Sequence, residues 1–136
     1  MLTPKEIVDK MMAKDFFSQW LGIEICLIDL GKCELKMKVT HDMLNGFAIA
    51  HGGISYSVSD SALAFASNSY GQQAVSVETS ISHLKMVKEG DELLVKAYEV
   101  SRSNKIGVYQ VDVFNQKNEM ISTFKGTVYL SSRIWE

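Results

Sequence analysis

The sequence predicts an α+β fold, an antiparallel sheet wrapped around one long central helix, and three observations lead there. The stretch from Gly52 to about Asn68 is small, largely apolar and too long for a strand. On either side of it, segments alternate apolar and polar residues with a period of two, the mark of half-buried antiparallel strands. A helix this apolar must be buried, and curling the sheet around it is the economical solution. The 136 residues, 46% hydrophobic and 22% charged, suit one domain spanning 1–136 and are too few for two.

Element by element, Thr3 can cap a first helix, Pro4 suits its first position and Glu6 completes a capping box. Ile7, Met11, Met12, Phe16, Phe17 and Trp20 read as one apolar stripe meant for the core or a partner, and Gly22 ends the helix. Ile23, Ile25 and Leu27 then alternate with Glu24 and Cys26, and Cys33, Leu35, Met37 and Val39 with Glu34, Lys36 and Lys38: a hairpin with one dry face. Irregular sequence from Thr40 to Ala50 leads to the long helix. Val75, Val77, Thr79 and Ile81 make the apolar face of a third strand. Three further strands follow at about Leu93–Ser101, Val108–Phe114 and Ile121–Leu130, separated by turn sequences. The outer face of the sheet needs cover or enough polar residues to stand in water. A lone domain of this kind leaves edges and apolar area exposed, so a homo-oligomer is expected.

Several function classes drop out. With a net charge of −2 and no basic tract, the chain has no surface for nucleic acid. The charged residues Lys5, Glu6, Asp9, Lys10, Lys14 and Asp15 interrupt the start, unlike a signal peptide, and no apolar run approaches the ~20 residues of a membrane span. Cys26 and Cys33 flank a turn and are read as buried, reduced thiols of a cytoplasmic protein. His41, His51, His83 and Asp60 lack paired metal-ligand spacing, and neither cysteine has a CxxC neighbour, so no metal is expected. Glycine fingerprints for dinucleotides and phosphates are absent.

What remains is "LNGFAIAHGGISYSVSDSALAFASNS". Gly53, Ser57 (or Tyr56), Asp60 and Ala64 fall on one helical face. Gly52 and Gly53 lie at the helix N-terminus, where unpaired N–H groups and the dipole favour a developing oxyanion. Glycine there also lets a ligand approach the backbone, although such pairs are often only steric. Asp60, amid Val58, Ala62, Leu63 and Phe65, costs free energy unless it has a partner, water or a task. His51 could cap the helix or move protons, and Asn45-Gly46 could be only a turn. Gly53 and Asp60 are seven residues apart, roughly 10 Å along a helix, so both cannot touch one carbonyl carbon. Two antiparallel copies at a twofold would bring each Gly53 opposite the other Asp60.

The stretch from Leu44 to Gly71 resembles the signature of the hotdog-fold thioesterases, in particular the PaaI-like group of phenylacetate metabolism, and the likeness runs from "WLGIEI" to "FKGTVYL". The resemblance implies acyl-CoA hydrolysis with no cofactor beyond the coenzyme A of the substrate, and homodimers with shared sites paired into tetramers. It assigns Asp60 as general base or nucleophile and the Gly53 N–H as the group that polarises the thioester carbonyl. His51 and Asn45 shape the pocket, orient the thioester or position water. Lys85, Lys88, Arg102 and Lys105 fall where such proteins meet the nucleotide phosphates. An Arg-Pro pair frequent in the family is replaced here by Lys85-Met86-Val87. Gly52 and Ser61, the latter standing where threonine is common, complete the expected substrate contacts, with Tyr56 and Phe47 as aromatic surface compatible with an aryl-acyl group. Two rivals are a hotdog-fold dehydratase or hydratase using His51 and a non-catalytic acyl-CoA-binding domain.

Overall fold

The computed structural model describes residues 1–136. Helices α1 (Pro4–Lys14) and α2 (Phe16–Leu21) lead into the hairpin β1 (Glu24–Asp29) and β2 (Lys32–Lys38). The long helix α3 (Gly52–Asn68) follows, then β3 (Gln72–His83), β4 (Glu92–Arg102), β5 (Ile106–Phe114) and β6 (Met120–Ile134). The six strands form one antiparallel sheet in the order β1-β2-β4-β5-β6-β3. It curls around α3, which buries Val58, Ala62, Phe65 and Ala66 completely against it. The helix comes close because β6 offers no side chain at Gly126: a Cβ there would lie 2.4 Å from Leu63 Cδ2. The outer face carries Lys96, Tyr98, Asp112, Gln110 and Thr123, linked by side-chain hydrogen bonds or packed on Phe114, so it stands in water by its own polarity.

The expected N-terminal helix is two helices. The capping box forms as expected, with Thr3 Oγ1 accepting from Glu6 N–H and Glu6 from Thr3 N–H. Asp15 then breaks the run, ending α1 and capping α2. The stripe splits accordingly: Ile7 is fully buried, while Phe16, Phe17 and Trp20 are exposed, Phe16 to 74%. Two bulges correct the strand reading as well. A register shift between Ile25 and Leu27 swings Cys26 and Leu27 outward and turns Ile28 inward, so Cys26 is an exposed thiol; only Cys33 is buried. A second shift between Ser76 and Glu78 changes the parity of β3. Val75 and Val77 therefore stand 60% and 61% exposed on an edge strand, while Thr79 and Ile81 remain half-buried.

No helix is long and apolar enough to cross a membrane.

Candidate active site

The site gathers at the start of α3. Its loop is built by Asn45, whose Oδ1 accepts from Phe47 N–H at 2.9 Å and from Ile49 N–H at 3.4 Å. Backbone bonds from Asn45 N–H to Ile49 O and from Ala48 N–H to Asn45 O tighten the same turn. The turn holds Ala48 at φ 60°, a left-handed conformation that costs a non-glycine residue about 1 kcal/mol. Asn45 is thus the organiser of the loop, and its Nδ2 is left to the cavity beside it.

His51 caps α3. Its Nδ1 accepts from Gly53 N–H at 2.8 Å, so on the neutral ring the proton sits on Nε2. The Gly53 N–H is therefore engaged in the resting protomer, and the imidazole lone pair occupies the position an acceptor oxygen would take. The Gly52 N–H has no acceptor. His51 stands between two cavities. One, of about 270 Å³, is lined by Asn45, Gly52, Ser55, His83 and Lys85 as well as His51. The other, of about 310 Å³, meets Gly53 and Ser57 on one side and the stacked pair Phe17–Trp20 on the other.

The sequence reading weighed His83 only as a metal ligand and missed its place in this site. His83 ends β3 against the helix start, where a Cβ on Gly52 would lie 3.3 Å from its Nε2, and its Nδ1 is 3.3 Å from Ser55 Oγ. Ser55 Oγ also donates to Gly52 O at 3.3 Å. The signal was parity: His83 has the phase of Thr79 and Ile81 beyond the bulge, at the exposed end of the strand.

Asp60 lies on the one strip of α3 that the protomer leaves uncovered. From Gly53 to Ser69 the partly exposed residues are Gly53, Tyr56, Ser57, Asp60 and Ala64, the face read from the sequence with Tyr56 and Ser57 both on it. The carboxylate accepts no hydrogen bond within the chain. Burial, and then the charge of Asp15, raise its pKa above the ordinary carboxylate value. A half-buried acid with no counter-charge is a poised base.

Other expected contacts are placed elsewhere within the protomer. Phe47 is 86% exposed and lines neither cavity. Tyr56 bonds Thr79 Oγ1 and packs edge-on against Phe124, so it braces α3 on the sheet. Ser61 is buried and bonded to Ser18 Oγ at 2.8 Å. Lys85 reaches the first cavity while paired with Glu119 at 2.7 Å; Lys88 is exposed just beyond it. Arg102 and Lys105 sit at the β4–β5 turn, near the other end of α3. Arg102 stacks 3.9 Å from the Tyr70 ring and donates to Gln72 Oε1 at 2.7 Å. The helix between the two ends is roughly 25 Å long at 1.5 Å per residue, so one chain cannot bring all four basic residues to one phosphate group. No cluster of three or more His, Cys, Asp or Glu residues could hold a metal.

An antiparallel sheet curled on one long apolar helix is the architecture of the hotdog fold. This chain belongs to the hotdog-fold thioesterase superfamily, in its PaaI-like group, with residues 47–122 matching the Thioesterase superfamily. It is 35% identical over 116 residues to the acyl-coenzyme A thioesterase PaaI of Escherichia coli, covering 85% of this chain and 83% of that one. The solved structure of E. coli PaaI, a protein of the phenylacetic acid degradation operon, superposes with a TM-score of 0.94, covering 96% of this chain and 95% of the other. A hypothetical thioesterase protein of Streptococcus pneumoniae, solved with coenzyme A, is 26% identical, with a TM-score of 0.80 and coverage of 83% and 88%.

Proposed function

We propose that this protein hydrolyses acyl-CoA thioesters to the free acid and coenzyme A, in a site shared between two chains. The observation that carries this is the strip on α3: a backbone donor at Gly53 and an unpartnered acid at Asp60, about 10 Å apart by helix rise. An antiparallel second helix laid on that strip brings each Gly53 opposite the other chain's Asp60, and the exposed Val75 and Val77 offer a sheet edge to the same partner.

In this reading the thioester oxygen displaces the His51 imidazole and accepts from Gly53 N–H, in the place the Nδ1 lone pair marks at 2.8 Å. Charge growing on that oxygen is then stabilised by the N–H and by the positive end of α3. Asp60 of the second chain removes a proton from water that attacks the carbonyl, or attacks it directly to form a mixed anhydride that water opens. Coenzyme A thiolate leaves. The acyl group lies against Phe17 and Trp20, an aromatic wall suited to an aryl-acyl group such as phenylacetyl, while the coenzyme arm leaves past Asn45 and Lys85. Arg102 and Lys105 can meet nucleotide phosphates only across the assembly, in a tetramer or dimer that brings in another chain's β4–β5 turn.

The hydratase alternative would use His51 as its base. Assay of phenylacetyl-, benzoyl- and straight-chain acyl-CoA with a thiol reagent, beside enoyl absorbance, separates the two. Thiol release that persists with a chelator supports the proposal; enoyl conversion without thiol release overturns it.

A further inference from the structure

We propose that Asp15 is a positioning residue for the reaction: from the α1–α2 junction it braces the Asp60 turn of α3 through Ser18 and Ser61 and sets a second carboxylate beside that turn. This rests on the reading of Asp60 as the base.

The argument starts from the helix break. Asp15 departs from helical geometry at φ −91° and ψ 78°, splitting what the apolar pattern would have continued. The break starts α2, which buries Ser18 and Leu21 and leaves Phe16 and Phe17 exposed. It also makes Asp15 the cap of α2 through Ser18, and Ser18 carries the contact on to α3. Asp15 Oδ1 accepts from Ser18 N–H at 3.0 Å and Oδ2 from Ser18 Oγ at 2.6 Å. The Ser18 hydroxyl has one proton and gives it to the carboxylate, so Ser61 must donate to Ser18 Oγ at 2.8 Å. Both serines are buried. The chain of donors runs in one direction, from Ser61 through Ser18 to Asp15, and Ser61 is the backbone neighbour of Asp60.

Charge follows the same route. After burial, the charge of Asp15 is the second cause that raises the Asp60 pKa. Like charges held near each other favour a bound proton on one of them. Asp60 thus abstracts a proton more readily than a solvated carboxylate does. In the proposed dimer the second chain adds its His51, which every variant below retains.

The test is the pH dependence of kcat/KM together with direct titration of the Asp60 carboxyl by carbon-13 NMR, in wild type and Asp15→Asn. Asparagine keeps an acceptor for Ser18 N–H but removes the charge. The expected result is that the acid limb of the profile and the Asp60 titration both move to lower pH, with the fold retained. Ser18→Ala keeps the charge and cuts the serine link; it should lower kcat and leave the acid limb in place. Should Asp15→Asn fail to fold, Asp15→Ser supplies a cap without charge and the same shift is expected. An Asp60 titration unchanged in a folded, uncharged Asp15 variant overturns the inference. Wild-type kcat in Asp60→Asn sinks the underlying reading instead, and the NMR titration, which needs no turnover, still decides on Asp15.

Discussion

Asp60, as the proposed base, would be costly to the fold and necessary to the chemistry. Replacing it by asparagine should retain the fold and lower kcat by about 10²- to 10⁴-fold, the usual worth of a positioned base, as steady-state thiol release would show. The stability effect has the opposite sign. Because burial and Asp15 raise its folded pKa, the native state binds this proton more tightly than the unfolded chain does. Ionised Asp60 therefore costs stability above the folded pKa, and the cost vanishes as pH falls below the ordinary carboxylate range. Asp60→Asn should melt higher than wild type at neutral pH and no higher in acid; equal melting temperatures at neutral pH would refute this. The cysteines differ just as sharply. Burial, and next the Glu34 charge, push the Cys33 thiol up to about 12, whereas Cys26 is exposed. A thiol reagent should label one site per native chain quickly and the second only on unfolding.

Among the elements, α3 and β6 are joined most closely where Leu63 lies over Gly126. A methyl group there has no room, so Gly126→Ala should destabilise by about 1–3 kcal/mol in chemical denaturation, the cost of overpacking. On α2, Trp20→Ala should raise KM for aryl-acyl substrates more than for short straight chains, since only the former lose a stacking surface. Much of this architecture was readable beforehand. The small-residue run from Gly52 to Asn68 and the alternation Cys33-Leu35-Met37 each state their own conformation, and the structure has both where local pattern placed them. The bulges at Cys26 and Val77 were hidden because a bulge is decided by what lies on the neighbouring strand, not by the bulged residue. Asp15 was hidden too: between Lys14 and Phe16 it continues a helical pattern, and its capping of Ser18, which in turn bonds Ser61, is visible only in the fold. In the site, Gly53 and Asp60 could be placed from helix spacing, but His83 meets Gly52 and Ser55 across 28 residues of sequence, where no local pattern points.

For the whole molecule the proposed shared site makes a quantitative prediction. Asp60→Asn and a bulky Gly53 variant should each be inactive, the second by blocking the helix end. When the two are dissociated, mixed in equal amounts and reassembled, half of the dimers are mixed. Each mixed dimer has one site with both lesions and one with neither, so activity should return to roughly a quarter of wild type. Mixed dimers that form, as native mass spectrometry would show, and remain inactive would rule the shared geometry out.

The stretch of α3 between Gly53 and Asp60 also bears on what a freshly made chain can do. If the site is shared as proposed, a solitary copy has half of each of two sites and a whole one of neither. Its output is then second order: below the dissociation constant of the pair, turnover rises with the square of chain concentration, and above it linearly. A cell holding few copies would have essentially no activity, and a doubling of expression well below that threshold would raise flux about fourfold. The distance along one helix thereby becomes a dose response.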